Sequence, residues 1–170
     1  MGVLAEYVRN EAEQLRKEVS RRDAAVQEWK AAIDKLYRQL EQWVAEADDK
    51  HELLYTQPIR LNPIHEPRLG SYDVQGLQIG IGTRKAEVAP RARHVVATVQ
   101  PPGQEPRRAD GMVELTDRGG ADYYLFRLIE DGQDAWYIRS VALWNADPRN
   151  AAVERLDRDR FEAAVLNILK

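Results

Sequence analysis

Cysteine is absent from the 170-residue sequence, which excludes disulfides, thiolate metal sites and a cysteine nucleophile. Serine is scarce. Ser20, Ser71 and Ser140 are the only three, and none occupies a Gly-x-Ser-x-Gly elbow, so nucleophilic catalysis of the serine type has no support. The three histidines, His51, His65 and His94, lack the spacing that puts two imidazoles on one helix face, and they read as structural or solvated groups. No uncharged apolar run approaches the ~20 residues a membrane-spanning helix needs. The start, Met-Gly-Val-Leu-Ala-Glu-Tyr, lacks the apolar stretch of a secretory signal, and Glu6 stands where a myristoylation signal prefers Ser or Thr. The expectation is a cytoplasmic protein with no membrane contact.

Glycine and proline are both missing from Val3 to Gln57, a stretch made mostly of Ala, Glu, Gln, Leu, Lys and Arg. These are strong helix formers. Apolar residues recur there at alternating spacings of three and four, which is the pattern of a heptad seam. With Ala5 as an a position, the a series is Ala5, Ala12, Val19, Val26, Ile33, Leu40 and Ala47, and the d series is Val8, Leu15, Arg22, Trp29, Leu36 and Trp43. Only Arg22 breaks the apolar run.

A helix from Val3 to about Asp48 would be roughly 70 Å long at 1.5 Å per residue. The rest of the chain, folded compactly, would be only about 35 Å across. At least half the seam therefore calls for another helix, and the candidate oligomer interface is Val8, Leu15, Val19, Val26, Trp29, Ile33, Leu36, Leu40 and Trp43. A homodimer is the first expectation, with a higher oligomer or a bundle with another protein behind it. Around Ala32, Leu36, Tyr37, Trp43 and Val44 the apolar face widens, so the C-terminal third of the helix is expected to pack on the globular domain as well. A hairpin broken at Ser20–Asp23 is the competing arrangement, although no glycine or proline marks a break there.

Pro58, Pro63, Pro67 and Gly70 suggest an extended connector over residues 58–70. Short β runs follow. Leu77, Ile79 and Ile81 alternate with Gln78 and Gly80, and Gly82-Thr83-Arg84 turns into a partner strand at Lys85–Val88. Further strands are expected at His94–Val99, Met112–Leu115 and Tyr123–Ile129, with a turn at Asp117–Gly120. Glu130-Asp131-Gly132 is a hairpin signal leading into Trp136–Leu143. Asp157 is an N-cap for a closing helix whose Phe161, Ala164, Val165, Ile168 and Leu169 recur at helical spacing. The fold class expected is α+β: a long N-terminal coiled-coil-type helix (residues 1–57), the connector, and an antiparallel meander of five or six strands packed by a C-terminal helix (residues 71–170).

The apolar and charged fractions, 44% and 31%, are those of a soluble domain, and a net charge of −3 gives no global pull toward polyanions. Charge is nevertheless uneven. Arg84, Lys85, Arg91, Arg93, Arg107 and Arg108 stand against Glu87 and Glu105 in one stretch. That stretch is a candidate polyanion surface, though without interleaved aromatics it reads better as protection of a sheet edge or a protein dock. On the strand Tyr123–Ile129, residues 124, 126 and 128 share one face and 123, 125, 127 and 129 the other. If one face stays open, Tyr123, Leu125 and Tyr137 would form a partner-binding patch. Gly76, Gly80 and Gly82 precede no Gly-Lys-Ser/Thr and no helix, so no cofactor is expected. These features together predict a non-catalytic scaffold that self-associates through its helix. A nucleic-acid-binding accessory protein using residues 84–108 is the alternative.

Overall fold

The computed structural model describes residues 2–117 and 120–170. The first element is α1 (Val3–Ala47), an unbroken helix that passes straight through Ser20–Asp23, so there is no hairpin. It stops ten residues before the last position the absence of glycine and proline would allow. Asp48 is the cause. Its carboxylate accepts hydrogen bonds from the backbone N–H groups of Leu53 and Leu54, both at 2.8 Å, and of Glu52 at 3.3 Å. A short acidic side chain that captures local backbone donors competes with the helix for them. His51 takes a left-handed conformation (φ 53°) in the turn that results.

The chain then forms β1 (Leu54–Arg60), β2 (Ile64–Glu66), β3 (Gly70–Tyr72), β4 (Gln75–Ile81), β5 (Arg84–Ala92), β6 (Thr98–Val99), β7 (Arg107–Arg108), β8 (Gly111–Asp117), β9 (Gly120–Glu130) and β10 (Gln133–Ser140). After these come α2 (Val141–Ala146), β11 (Glu154–Arg155) and α3 (Arg158–Leu169). Seven strands make one antiparallel sheet in the order β1-β4-β5-β8-β9-β10-β11, while β2-β3 and β6-β7 are separate two-stranded pieces. The protein is thus α+β, with a long N-terminal helix, a large antiparallel sheet and a C-terminal helix packed on it.

The hairpin signals hold where a positive φ was demanded: Asp131 (φ 50°) and Gly132 (φ 75°) join β9 to β10. Asp117 and Gly120 face each other across the β8–β9 pairing, and the middle of the turn expected there, Arg118-Gly119, lies outside the described residues. Residues 58–70 are not a connector throughout. Pro58 lies inside β1, opposite Leu77, and β1 is the edge of the sheet, where a residue without an N–H costs no ladder bond. The strand expected at His94–Val99 is reduced to Thr98–Val99. The expected strand Trp136–Leu143 ends at Ser140, whose hydroxyl accepts from Leu143 N and starts α2 instead. Asp157 caps α3 as its position implied, accepting from Arg160 N.

One face of the sheet is covered by helices, and the other is covered around β9 and β10. The C-terminal half of α1 and all of α3 pack on one face, where Trp29, Ile33, Leu36 and Leu40 meet Leu77, Ile79, Val113, Leu115, Leu125 and Phe161. The opposite face, around β9 and β10, is closed by the segment carrying Val95, Val99 and Ala109, by Val153 and by Trp144 of α2. Gly111 is what lets α1 come close: a Cβ there would lie 2.5 Å and 2.6 Å from two ring carbons of Trp29. Trp29 also stacks on Trp136 with ring centroids 6.2 Å apart.

Candidate assembly surface

The seam of α1 divides into two parts. Val26, Trp29, Ile33, Leu36 and Leu40 are buried in this chain's own core, and Trp43 is half-buried against Phe161 of α3. Apart from Trp43, these residues have no surface left for another helix. The correction to the interface expected from sequence is therefore specific: the body sheathes the seam from Val26 onward. The earlier part is different. Val8, Leu15 and Val19 are 56%, 58% and 52% exposed, and Val3, Leu4 and Tyr7 are more exposed still. Val8 and Val26, like Leu15 and Ile33, lie five turns apart (about 18 residues at 3.6 per turn) and so point the same way from the helix axis. One stripe runs the length of α1, and the body covers only its second half.

A polar clamp sits where cover begins. Arg127 of β9 projects from the helix-facing side of the sheet with only 3% of its side chain exposed. Its guanidinium donates to Glu28 of α1 and, at 2.7 Å, to Asp134 of β10, and it lies 5.7 Å from the centre of the Trp29 ring. Arg93 Nε donates to the same Glu28 carboxylate at 3.0 Å. Partial burial would raise the Glu28 carboxyl, but the hydrogen bonds from Arg127 and Arg93 outweigh it and hold the group below the usual carboxylate range. These contacts tie α1 to β9 and to Arg93 at the point where cover begins. The sequence hinted at them only through a lone arginine in an otherwise apolar strand.

The basic stretch does not form a basic edge, because β5 lies between β4 and β8 in the interior of the sheet. Most of its cations turn to the chain itself. Arg84 donates to Leu169 O, Arg91 pairs with Glu114, Arg93 with Glu28, Arg107 with Asp110, and Arg108 donates to Val95 O at 2.6 Å. Lys85 is half-buried on β5. Arg93 and Arg108 do share a small polar cleft of about 170 Å³ with Arg68, His94 and Asp110. There burial, followed by the charge of Arg93, pushes the His94 imidazole below its ordinary value.

The aromatic patch does not exist as a surface. Leu125 is fully buried on the face under α1, whereas Tyr137 is buried on the opposite face, with Tyr123 half-buried near α3. Tyr137 pairs with Phe126, and Ile138 with Leu125, so the pleat sends Leu125 and Tyr137 to opposite sides. Among the described residues no group of three or more His, Asp or Glu could hold a metal ion, and no helix is long and apolar enough to cross a membrane. Comparisons with family models, curated proteins and solved structures find no match to this chain.

Proposed function

We propose that this protein is a non-catalytic, cytoplasmic assembly module that self-associates through the uncovered first half of α1. The supporting observation is a continuous apolar stripe whose second half is core and whose first half carries Val8, Leu15 and Val19 in water. Completing the burial of half-exposed Val and Leu side chains is worth about 1–2 kcal/mol each. Two copies bring six such side chains, or about 6–12 kcal/mol in all. Association itself costs about 4–15 kcal/mol. The two ranges overlap, so the pair is reversible and its population rises with concentration.

The globular part serves as a rigid base for the helix, and recognition of a further protein would fall outside the helix-covered face and the β9–β10 part of the other face. A nucleic-acid role draws less support, because five of the six cations it would use hold contacts within the chain.

The test is molar mass of the full chain in solution, by sedimentation or light scattering, from a few micromolar to several hundred. We expect the mass to rise from one chain toward two, and Leu15→Glu with Val19→Glu to keep it at one chain without changing the circular dichroism of the body. A mass that stays at one chain throughout would refute the proposal. The full chain is required, since residues 70–170 alone lack Trp29, Ile33, Leu36 and Leu40, and with them one wall of the core.

A further inference from the structure

Taking self-association through α1 as the premise, we propose that the occupant of the exposed stripe is a second copy bound antiparallel, with the two globular bodies at opposite ends of the pair. The placement of the body on the helix requires this. The covered and uncovered halves of the stripe share one azimuth, since Val8 and Val26 are five turns apart. In a parallel, in-register pair, residues 26–44 of the second helix would have to occupy the space on the seam side of the first helix. That space is filled by the first chain's own sheet, with Trp29, Ile33 and Leu40 completely buried against it. The helix offers no hinge to steer around the obstacle: α1 is continuous from Val3 to Ala47 and has neither glycine nor proline to bend at. Run the other way, the second chain's body is carried away from the first chain's sheet while the two uncovered halves of the stripe overlap.

The seam is also complementary to itself under that two-fold symmetry. Pairing a with d positions in opposite directions sets Val8 against Val19 of the second copy, Ala12 against Leu15 and Ala5 against Arg22. Small faces large at the centre. Arg22, the only polar seam position, meets the smallest side chain at the margin of the overlap, where its head reaches water and Glu6 of the second copy. Three residues on, Ala25 is already packed against the core, so the overlap ends where the body begins. The segment is electrically neutral, with Glu6, Glu11, Glu13, Glu18 and Asp23 against Arg9, Arg16, Lys17, Arg21 and Arg22, so two copies meet without net repulsion. Flanking the seam, Arg9 nears Arg16 and Glu11 nears Glu18 of the other copy. These like pairs are solvent-exposed, and they lower the affinity without reversing an orientation that the sheet's bulk dictates.

The absence of native cysteine makes the test direct. Val8→Cys and Val19→Cys are prepared separately in the full chain, both at positions more than half exposed, and oxidised with copper-phenanthroline alone and as an equimolar mixture. In the antiparallel pair identical positions lie about 16 Å apart along the axis (roughly 11 residues at 1.5 Å), too far for a disulfide. Each variant alone is expected to stay uncrosslinked and the mixture to give a covalent dimer. Crosslinking of each variant with itself would overturn the orientation while leaving self-association intact. A dimer by mass that crosslinks in none of the three samples would overturn the register. A full chain that keeps a one-chain mass at several hundred micromolar would overturn self-association too, and leave the stripe to a helix of another protein.

Discussion

Leu15 and Ile33 form a controlled pair, because they sit on the same helix at the same azimuth and differ in what covers them. Ile33 is completely buried against the sheet, while Leu15 is 58% exposed. Ile33→Ala deletes three buried carbons and leaves a cavity lined by a sheet that cannot collapse onto it, an expected loss of about 2–5 kcal/mol. For a domain of this size that lowers the melting temperature by about 2–4 °C for each kcal/mol. Leu15→Ala in the monomer removes a side chain that water already reaches and substitutes a slightly better helix former, so the expected change is within about 0.5 kcal/mol. Urea denaturation of both variants and the parent at a few micromolar, followed by near-ultraviolet circular dichroism of the tryptophans, measures the contrast. Repeating it at several hundred micromolar should destabilise Leu15→Ala relative to the parent, because only the parent then gains from association. Equal losses at low concentration would refute the division of the stripe. A negligible effect of Ile33→Ala would mean that α1 is not seated on the sheet at all.

Two further outcomes follow from the helix–sheet contact. Gly111→Ala should cost about 1–3 kcal/mol through overpacking against the Trp29 ring, and the same change made in a Trp29→Leu background should cost much less, a coupling that a double-mutant cycle of denaturation measures. Glu28→Gln should cost about 1–2 kcal/mol at neutral pH, at the low end for charged hydrogen bonds because Glu28 is partly exposed and Asp134 still holds Arg127. The Glu28 carboxyl is held down in the folded state, so its contribution is complete above the usual carboxylate range and is lost as pH falls through the folded value. The stability difference between parent and Glu28→Gln should therefore shrink steadily below about pH 4.5, and a difference that widened in acid would contradict the clamp.

Local signals in the sequence were enough to determine several elements outright. A run without glycine or proline and rich in Ala, Glu and Leu makes α1 a helix, Asp131-Gly132 forces the β9–β10 hairpin, and Asp157 opens α3, because each depends on backbone chemistry within a few residues. The heptad pattern likewise fixed which face of α1 is apolar. It could not say what lies against that face, since a side chain's periodicity is the same whether a sheet or a second helix covers it. Only tertiary structure decided that Trp29 and Ile33 are core while Leu15 and Val19 are surface, and that Leu125 and Tyr137 lie on opposite sides of the sheet. It also decided where the basic stretch falls: β5 lands in the interior of the sheet through pairings with β4 and β8. Such pairings are contacts between distant parts of the chain, whose free energy depends on a shape that no short window of residues contains.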